Sequence, residues 1–122
     1  GYQGGCSNSV RGVINGGYMQ DGVTINHQKS FITLASEGNA VEFGDITEGT
    51  SRGVSYAYCG ATAVRGTIMG GLEDTSSPYA SRSTVDAYNF ESQGEVTVIG
   101  DLSEGKRDGG MVTDSHGGLG GF

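Results

Sequence analysis

A seven-residue pattern is written twice in this chain, 54 residues apart, and the stretches around it repeat as well. Arg11-Gly12-Val13-Ile14-Asn15-Gly16-Gly17 returns as Arg65-Gly66-Thr67-Ile68-Met69-Gly70-Gly71. Gly44-Asp45-Ile46-Thr47-Glu48-Gly49 returns as Gly100-Asp101-Leu102-Ser103-Glu104-Gly105, and a third copy opens in Ser115-His116-Gly117-Gly118-Leu119-Gly120-Gly121-Phe122. Duplication of this kind constrains a fold more than composition does. Each unit is a small element that cannot bury its apolar residues alone, so neighbours must stack. Of 122 residues 24 are glycine, one is proline and 34% are apolar. The glycines stand at matching places in the copies, so they read as turns and close packing rather than as a flexible linker.

Each unit reads as four short strands. The first covers Gly1–Cys6 and Gly53–Cys59, the second Arg11–Asn15 and Arg65–Met69. The third covers Ser30–Leu34 and Asp86–Phe90, the fourth Ala40–Phe43 and Val96–Ile99. Strands three and four join through Ser36-Glu37-Gly38-Asn39 and Ser92-Gln93-Gly94-Glu95, glycine-bearing polar turns that signal hairpins. The apolar pattern has period two: Ile32 and Leu34 share one face, Phe31 and Thr33 the other. Tyr88 and Phe90 stand where Ile32 and Leu34 stood, and Ile99 where Phe43 stood, so the same face is expected to be buried in both copies. No segment carries a capped 3.6-residue period, which leaves almost no helix.

The expected fold is all-β, made of β-propeller blades. Blade 1 spans residues 1–52, blade 2 residues 53–108, and a partial closing blade residues 109–122. Two blades cannot close a ring of about four to eight. The ring is therefore expected to close as an oligomer or within a longer chain, and Gly1 in place of Met leaves room for an upstream segment.

The copies are offset by 54 residues as far as the glycine pairs and by 56 from Gly38 and Gly94 onward. A two-residue insertion therefore falls in the loop between strands two and three. Loops that vary on a fixed scaffold are where such folds place binding surfaces. Tyr18 and Tyr79 are the candidate stacking residues for a sugar ring. Gln20, Asp21, His27, Glu73, Asp74 and Arg82 are their candidate hydrogen-bonding partners. The competing reading has the tyrosines covering blade edges or filling a subunit contact.

A net charge of −7 with scattered Lys and Arg argues against binding a phosphate backbone. No apolar run is long enough for a membrane-crossing helix, and no signal peptide is visible. Cys6 and Cys59 fall at nearly equivalent places, too far apart for a disulfide if the blades stack, so free, buried thiols are expected. Neither has metal-ligand spacing around it, and His27 and His116 have no nearby partner in sequence. Asp45 and Asp101 read as turn residues. Arg11 and Arg65 read either as an anion-capturing ring or as partners of Asp45 and Asp101 across blades. With no nucleophile elbow, phosphate loop or metal cluster, neither an enzyme nor a cofactor is expected.

The order of an apolar strand ending in Gly-Gly, a spacer, a hairpin and a Gly-rich next strand resembles the kelch repeat. The Tyr and Trp that usually flank the kelch hairpin turn are replaced by Leu34 and Val41 in one copy, Phe90 and Thr97 in the other. Ser36-Glu37-Gly38-Asn39-Ala40, Glu42-Phe43-Gly44-Asp45-Ile46-Thr47 and Cys6-Ser7-Asn8-Ser9-Val10-Arg11-Gly12-Val13 more closely resemble kelch-like repeats of structural and tail-fibre proteins of marine phages, cyanophages especially. That resemblance implies an extracellular virion component that displays loops for attachment to a host-surface glycan or protein. It implies partners among copies of itself, a trimer closing six blades being the simplest, or among other virion proteins. A free-standing oligomeric lectin and a ligand-free shell or filament subunit are the alternatives.

Overall fold

The computed structural model describes residues 3–21, 24–36, 38–46, 54–73 and 80–112. Eleven strands and no helix are present among them. The first sheet is antiparallel and contains β1 (Gly4–Ser7), β2 (Arg11–Asn15), β3 (Gln28–Thr33) and β4 (Val41–Asp45), in that order. The second repeats it with β6 (Tyr58–Ala61), β7 (Arg65–Met69), β10 (Thr84–Asn89) and β11 (Thr97–Asp101). A small third sheet pairs β5 (Val54–Ser55) with β8 (Leu72–Glu73) and β8 with β9 (Ala80–Ser81).

The repeat is kept down to its irregularities. Gly12 opposes Ile32 as Gly66 opposes Tyr88, and both outer hairpins bulge at equivalent places, Lys29/Ser30 and Val85/Asp86. The stretch between strands two and three, expected as a plain loop, is itself a hairpin in both units. Tyr18 bridges Ile25 in the first, and Leu72 opposes Ser81 in the second. The two added residues thus fall between Leu72 and Ser81 in sequence.

The glycine pairs let each unit be stitched to the next segment of chain. Gly16, Gly17, Gly70 and Gly71 all have positive φ, a region that costs a side-chain-bearing residue dearly. Gly17 N–H donates to Val54 O at 3.0 Å and Val54 N–H to Asn26 O at 3.3 Å. Gly71 N–H donates to Lys106 O at 2.7 Å and Lys106 N–H to Arg82 O at 3.0 Å. A Cβ on Gly16 would collide with Val54 O, and one on Gly70 with Lys106 O. The repeated Gly-Gly is therefore a docking point for the next stretch of backbone.

The core lies between the two sheets. Val13, Phe31 and Phe43 of the first meet Ile68, Tyr88, Phe90 and Val96 of the second. Phe31, Phe43, Tyr88 and Phe90 form a chain of edge-to-face rings, each 5.6 Å from the next, an arrangement preferred by the ring quadrupoles. This corrects the expected burial. Tyr88 and Phe90 are buried, but their counterparts Ile32 and Leu34 turn outward, Leu34 being 46% exposed. Phe43 is buried while its counterpart Ile99 is 52% exposed. Facing sheets use opposite sides of the same pattern, so the buried side has to switch from one copy to the next.

Candidate functional site

The hairpin that begins at Gly16-Gly17 carries three of the expected site residues. Met19 N–H donates to Thr24 O, and the Asp21 carboxylate accepts from Thr24 N–H at 2.9 Å and Thr24 Oγ1 at 2.5 Å. Asp21 is therefore an exposed turn residue that holds the tip, and Gln20 is exposed beside it. Tyr18, half-buried at the hairpin base, meets the Tyr56 ring edge-to-face at 6.3 Å. Tyr56 has φ 55°, left-handed backbone in a residue with a bulky side chain. Such strain costs on the order of 1–3 kcal/mol and persists only where the surroundings hold it. Here it sets the Tyr56 ring against Tyr18. Sequence does not single out Tyr56, because nothing in the composition of a short loop marks a strained residue.

The other expected site residues are placed elsewhere. His27 Nδ1 stands 3.0 Å from the Asp45 carboxylate, a partner 18 positions away that local sequence did not suggest. Glu73 is half-buried in β8. Arg82 is buried rather than displayed: its guanidinium donates to Asp86 at 2.6 Å, and Asp86 itself is 0% exposed. That pair lies in the buried core, whereas the sequence reading puts Arg82 on a displayed loop. Asp74 and Tyr79 lie outside the described residues.

The repeated arginines do not pair with the repeated aspartates. Arg11 donates to the carbonyls of Phe90 at 2.6 Å and Glu91 at 3.2 Å, and stacks 4.7 Å over the Phe31 ring. It clamps the second sheet's outer hairpin onto the first. Arg65 is exposed and lines a polar groove of about 360 Å³ with Asn89, Ser92, Gln93 and Glu95.

Between the sheets sits a second polar cluster. Lys29 is fully buried; its Nζ donates to Asp45 O and to Gly94 O at 2.9 Å, and stands 5.5 Å from the Phe43 and Tyr88 ring centres. Burial lowers its pKa to about 8, against an opposite pull from Asp45, Glu95 and Asp86. Cys6 opposes Val13 and Cys59 opposes Ile68, so both thiols face the interface. The repeat counterpart of Cys6 is Gly60, not Cys59, and that one-residue difference turns Cys59 towards the first sheet. The cysteines are free. Cys6 Sγ lies 3.0 Å from Tyr88 Oη, and Asn15 Nδ2 donates to Cys59 Sγ at 3.4 Å. Burial pushes the Cys59 thiol up to about 12 and raises Cys6 and Tyr88 as well, which favours the protonated form of each. Among the described residues no group of three or more His, Cys, Asp or Glu could hold a metal ion. No helix there is long and apolar enough to cross a membrane.

No family model matches the chain, and no curated protein matches it. Among solved structures it is similar to that of YjhT, with a TM-score of 0.73 over 89% of this chain at 11% identity. The chain covers 34% of that structure. The likeness is one of fold, and with two stacked four-stranded antiparallel sheets it is consistent with a propeller-like architecture.

Proposed function

We propose that this chain is a non-enzymatic, kelch-like propeller segment of two blades, a phage virion or tail-fibre module that attaches to a host-surface glycan. The observation that carries the reading is the Tyr18–Tyr56 pair. It stands at the base of an exposed polar hairpin carrying Gln20 and Asp21, with Tyr56 held there against its backbone preference. A tyrosine offers a flat apolar ring and a polar tip, which suits the apolar face and the hydroxyls of a pyranose. The virion origin is supported by the order of motifs in the sequence. A rigid scaffold with one weak site per unit gains avidity when several units are presented together. The buried lysine and the arginine–aspartate pair lie in the buried core and the free thiols pack against it, whereas the hairpin residues Gln20 and Asp21 are exposed.

A glycan array probed with the wild-type chain and with Tyr18→Ala tests this. Binding to a defined glycan class is expected for the wild type and at least a tenfold loss for the variant, with the circular dichroism spectrum of the folded chain retained. A wild-type chain that binds no glycan, or a variant that binds as well, would overturn the reading.

A further inference from the structure

We infer that Cys6 and Cys59 form a redox-closed staple: a two-electron oxidation joins them in one disulfide, which ties the first strand of the first sheet to the first strand of the second. The inference is independent of the glycan reading.

Both cysteines break the repeat, and they break it reciprocally. The counterpart of Cys6 is Gly60, and the counterpart of Cys59 is Gly5. The chain has no other cysteine. Side chains along a strand alternate between faces, so a cysteine at position 60 would share the outward face with Thr67, its partner in β7. At position 59 it shares the face of Ile68, and Cys6 shares the face of Val13; both faces meet in the core. One exchange of glycine and cysteine in each unit thus puts a single thiol on each side of one contact. Repeat-equivalent positions on stacked units lie too far apart for a bridge, but 6 and 59 are not equivalent positions.

The sheets come close where the thiols stand. β1 runs against β6 with Cα atoms of the two strands within 8 Å, whereas stacked sheets ordinarily sit about 10 Å apart. A Cβ on Gly4 would collide with Cys59 Sγ and lie 3.6 Å from Cys59 Cβ. The thiol of β6 therefore reaches the backbone of β1, in space that only a glycine leaves, and Cys6 is two residues along on the same face. Tyr88 Oη is 3.0 Å from Cys6 Sγ, Asn15 Nδ2 donates to Cys59 Sγ at 3.4 Å, and Asn15 is also a hydrogen-bond partner of Tyr88. Asn15 offers an N–H and Tyr88 an O–H, and a disulfide sulfur accepts either. Loss of the two thiol hydrogens leaves these donors with their acceptors.

The oxidant is a small disulfide of the oxidised-glutathione class. One cysteine thiolate attacks its S–S bond, forming a mixed disulfide and releasing one reduced thiol. The second cysteine then attacks the protein sulfur of that mixed disulfide and expels the other reduced thiol. Two protein thiols lose two protons and two electrons, and the oxidant becomes two thiols. Both thiols are half-buried and held towards their protonated form in the folded chain, so exchange is fastest while the chain is folding. The bond closes the stretch from Cys6 to Cys59 into a loop, which restricts the unfolded chain and so stabilises the folded one.

The test refolds the 122-residue chain from urea in a mixture of oxidised and reduced glutathione and digests it without reduction. Trypsin cuts after Arg11, Arg52 and Arg65, so the bond joins peptide 1–11 to peptide 53–65. Two cysteines also pair to some extent in a denatured chain, so the deciding quantity is the equilibrium constant of the bond against glutathione, in native buffer and in concentrated urea. Native buffer is expected to favour the bond at least about a hundredfold, and the oxidised chain to melt about 10 °C above the reduced one. Cys59→Ala should give no linked peptide and no shift of midpoint with glutathione. A native preference under about tenfold, or an oxidised chain that melts no higher than the reduced one, would overturn the proposal, because the fold would then hold the two sulfurs apart.

Discussion

Ile14 and Ile68 stand at the same position of the same repeat, yet Ile14 is 42% exposed and Ile68 is fully buried. The first sheet buries the side bearing Val13, Phe31 and Phe43; the second buries the side bearing Ile68, Tyr88 and Phe90. The difference does not come from local propensity, since the strands, registers and bulges are shared. It comes from place in the stack: a sheet with one neighbour buries whichever side faces it. Both sides of each unit carry apolar residues, as sheets covered on two faces do.

The sharpest way to break the comparison is to truncate equivalent residues on the two sides. Phe90→Ala should cost about 3–5 kcal/mol, a lost ring in a closed core. Leu34→Ala, its repeat counterpart, should cost about 1 kcal/mol or less in the monomer. Urea unfolding at low protein concentration checks both. Equal losses would mean that the sheets do not stack as described.

The same contrast holds for charge. Removing Asp86 leaves Arg82, 7% exposed, without its carboxylate, and stranding one partner of a buried pair costs about 3–5 kcal/mol. Ser30→Ala at the equivalent position should stay within about 0.5 kcal/mol. If Asp86→Ala unfolds at the wild-type denaturant midpoint, the pair is not the anchor its geometry indicates.

Much of the fold is legible in the sequence, and the gaps have physical causes. β2 and β7 have the bounds expected, because an apolar alternation ended by two glycines is a strong local signal. The outer hairpins and the site of the insertion follow from the turn residues and the change of offset. The buried side is not legible, because period two says which residues share a side and not which side meets a neighbour. The hairpins after the glycine pairs escape the pattern because they begin with only one or two paired residues, too few for alternation to show. A repeated Arg beside a repeated Asp suggests an ion pair, whereas Arg11 bonds main-chain carbonyls, which any residue can supply. In the candidate site, Gln20 and Asp21 are exposed as expected. Arg82 is not, since its acid partner four positions on sits at helical spacing in a chain whose described residues form no helix.

The smallest effect expected is a pH dependence, and it separates the sheets at one residue: Lys29 in the first, Val85 in the second. Burial lowers Lys29 from 10.5 to about 8. Between those values the unfolded chain holds a proton that the folded chain lacks, so stability rises with pH. Cys6, Cys59 and Tyr88 act oppositely. Their folded pKa values are raised, Cys59 from 9.0 to about 12, so above its ordinary value the unfolded chain gives up protons that the folded one keeps. Stability should therefore climb by roughly 1 kcal/mol from about pH 7.5 to a maximum near pH 9 and fall beyond it. Lys29→Met puts a neutral side chain where Val85 already stands in the other sheet. It should abolish the climb and keep the fall, because the thiols and the phenol remain. Urea midpoints taken from pH 7 to 11 on both chains read this directly. A climb that persists in Lys29→Met would mean that the lysine is hydrated in solution, and that the interface is looser on the Lys29 side than the ring chain from Phe31 to Phe90 implies.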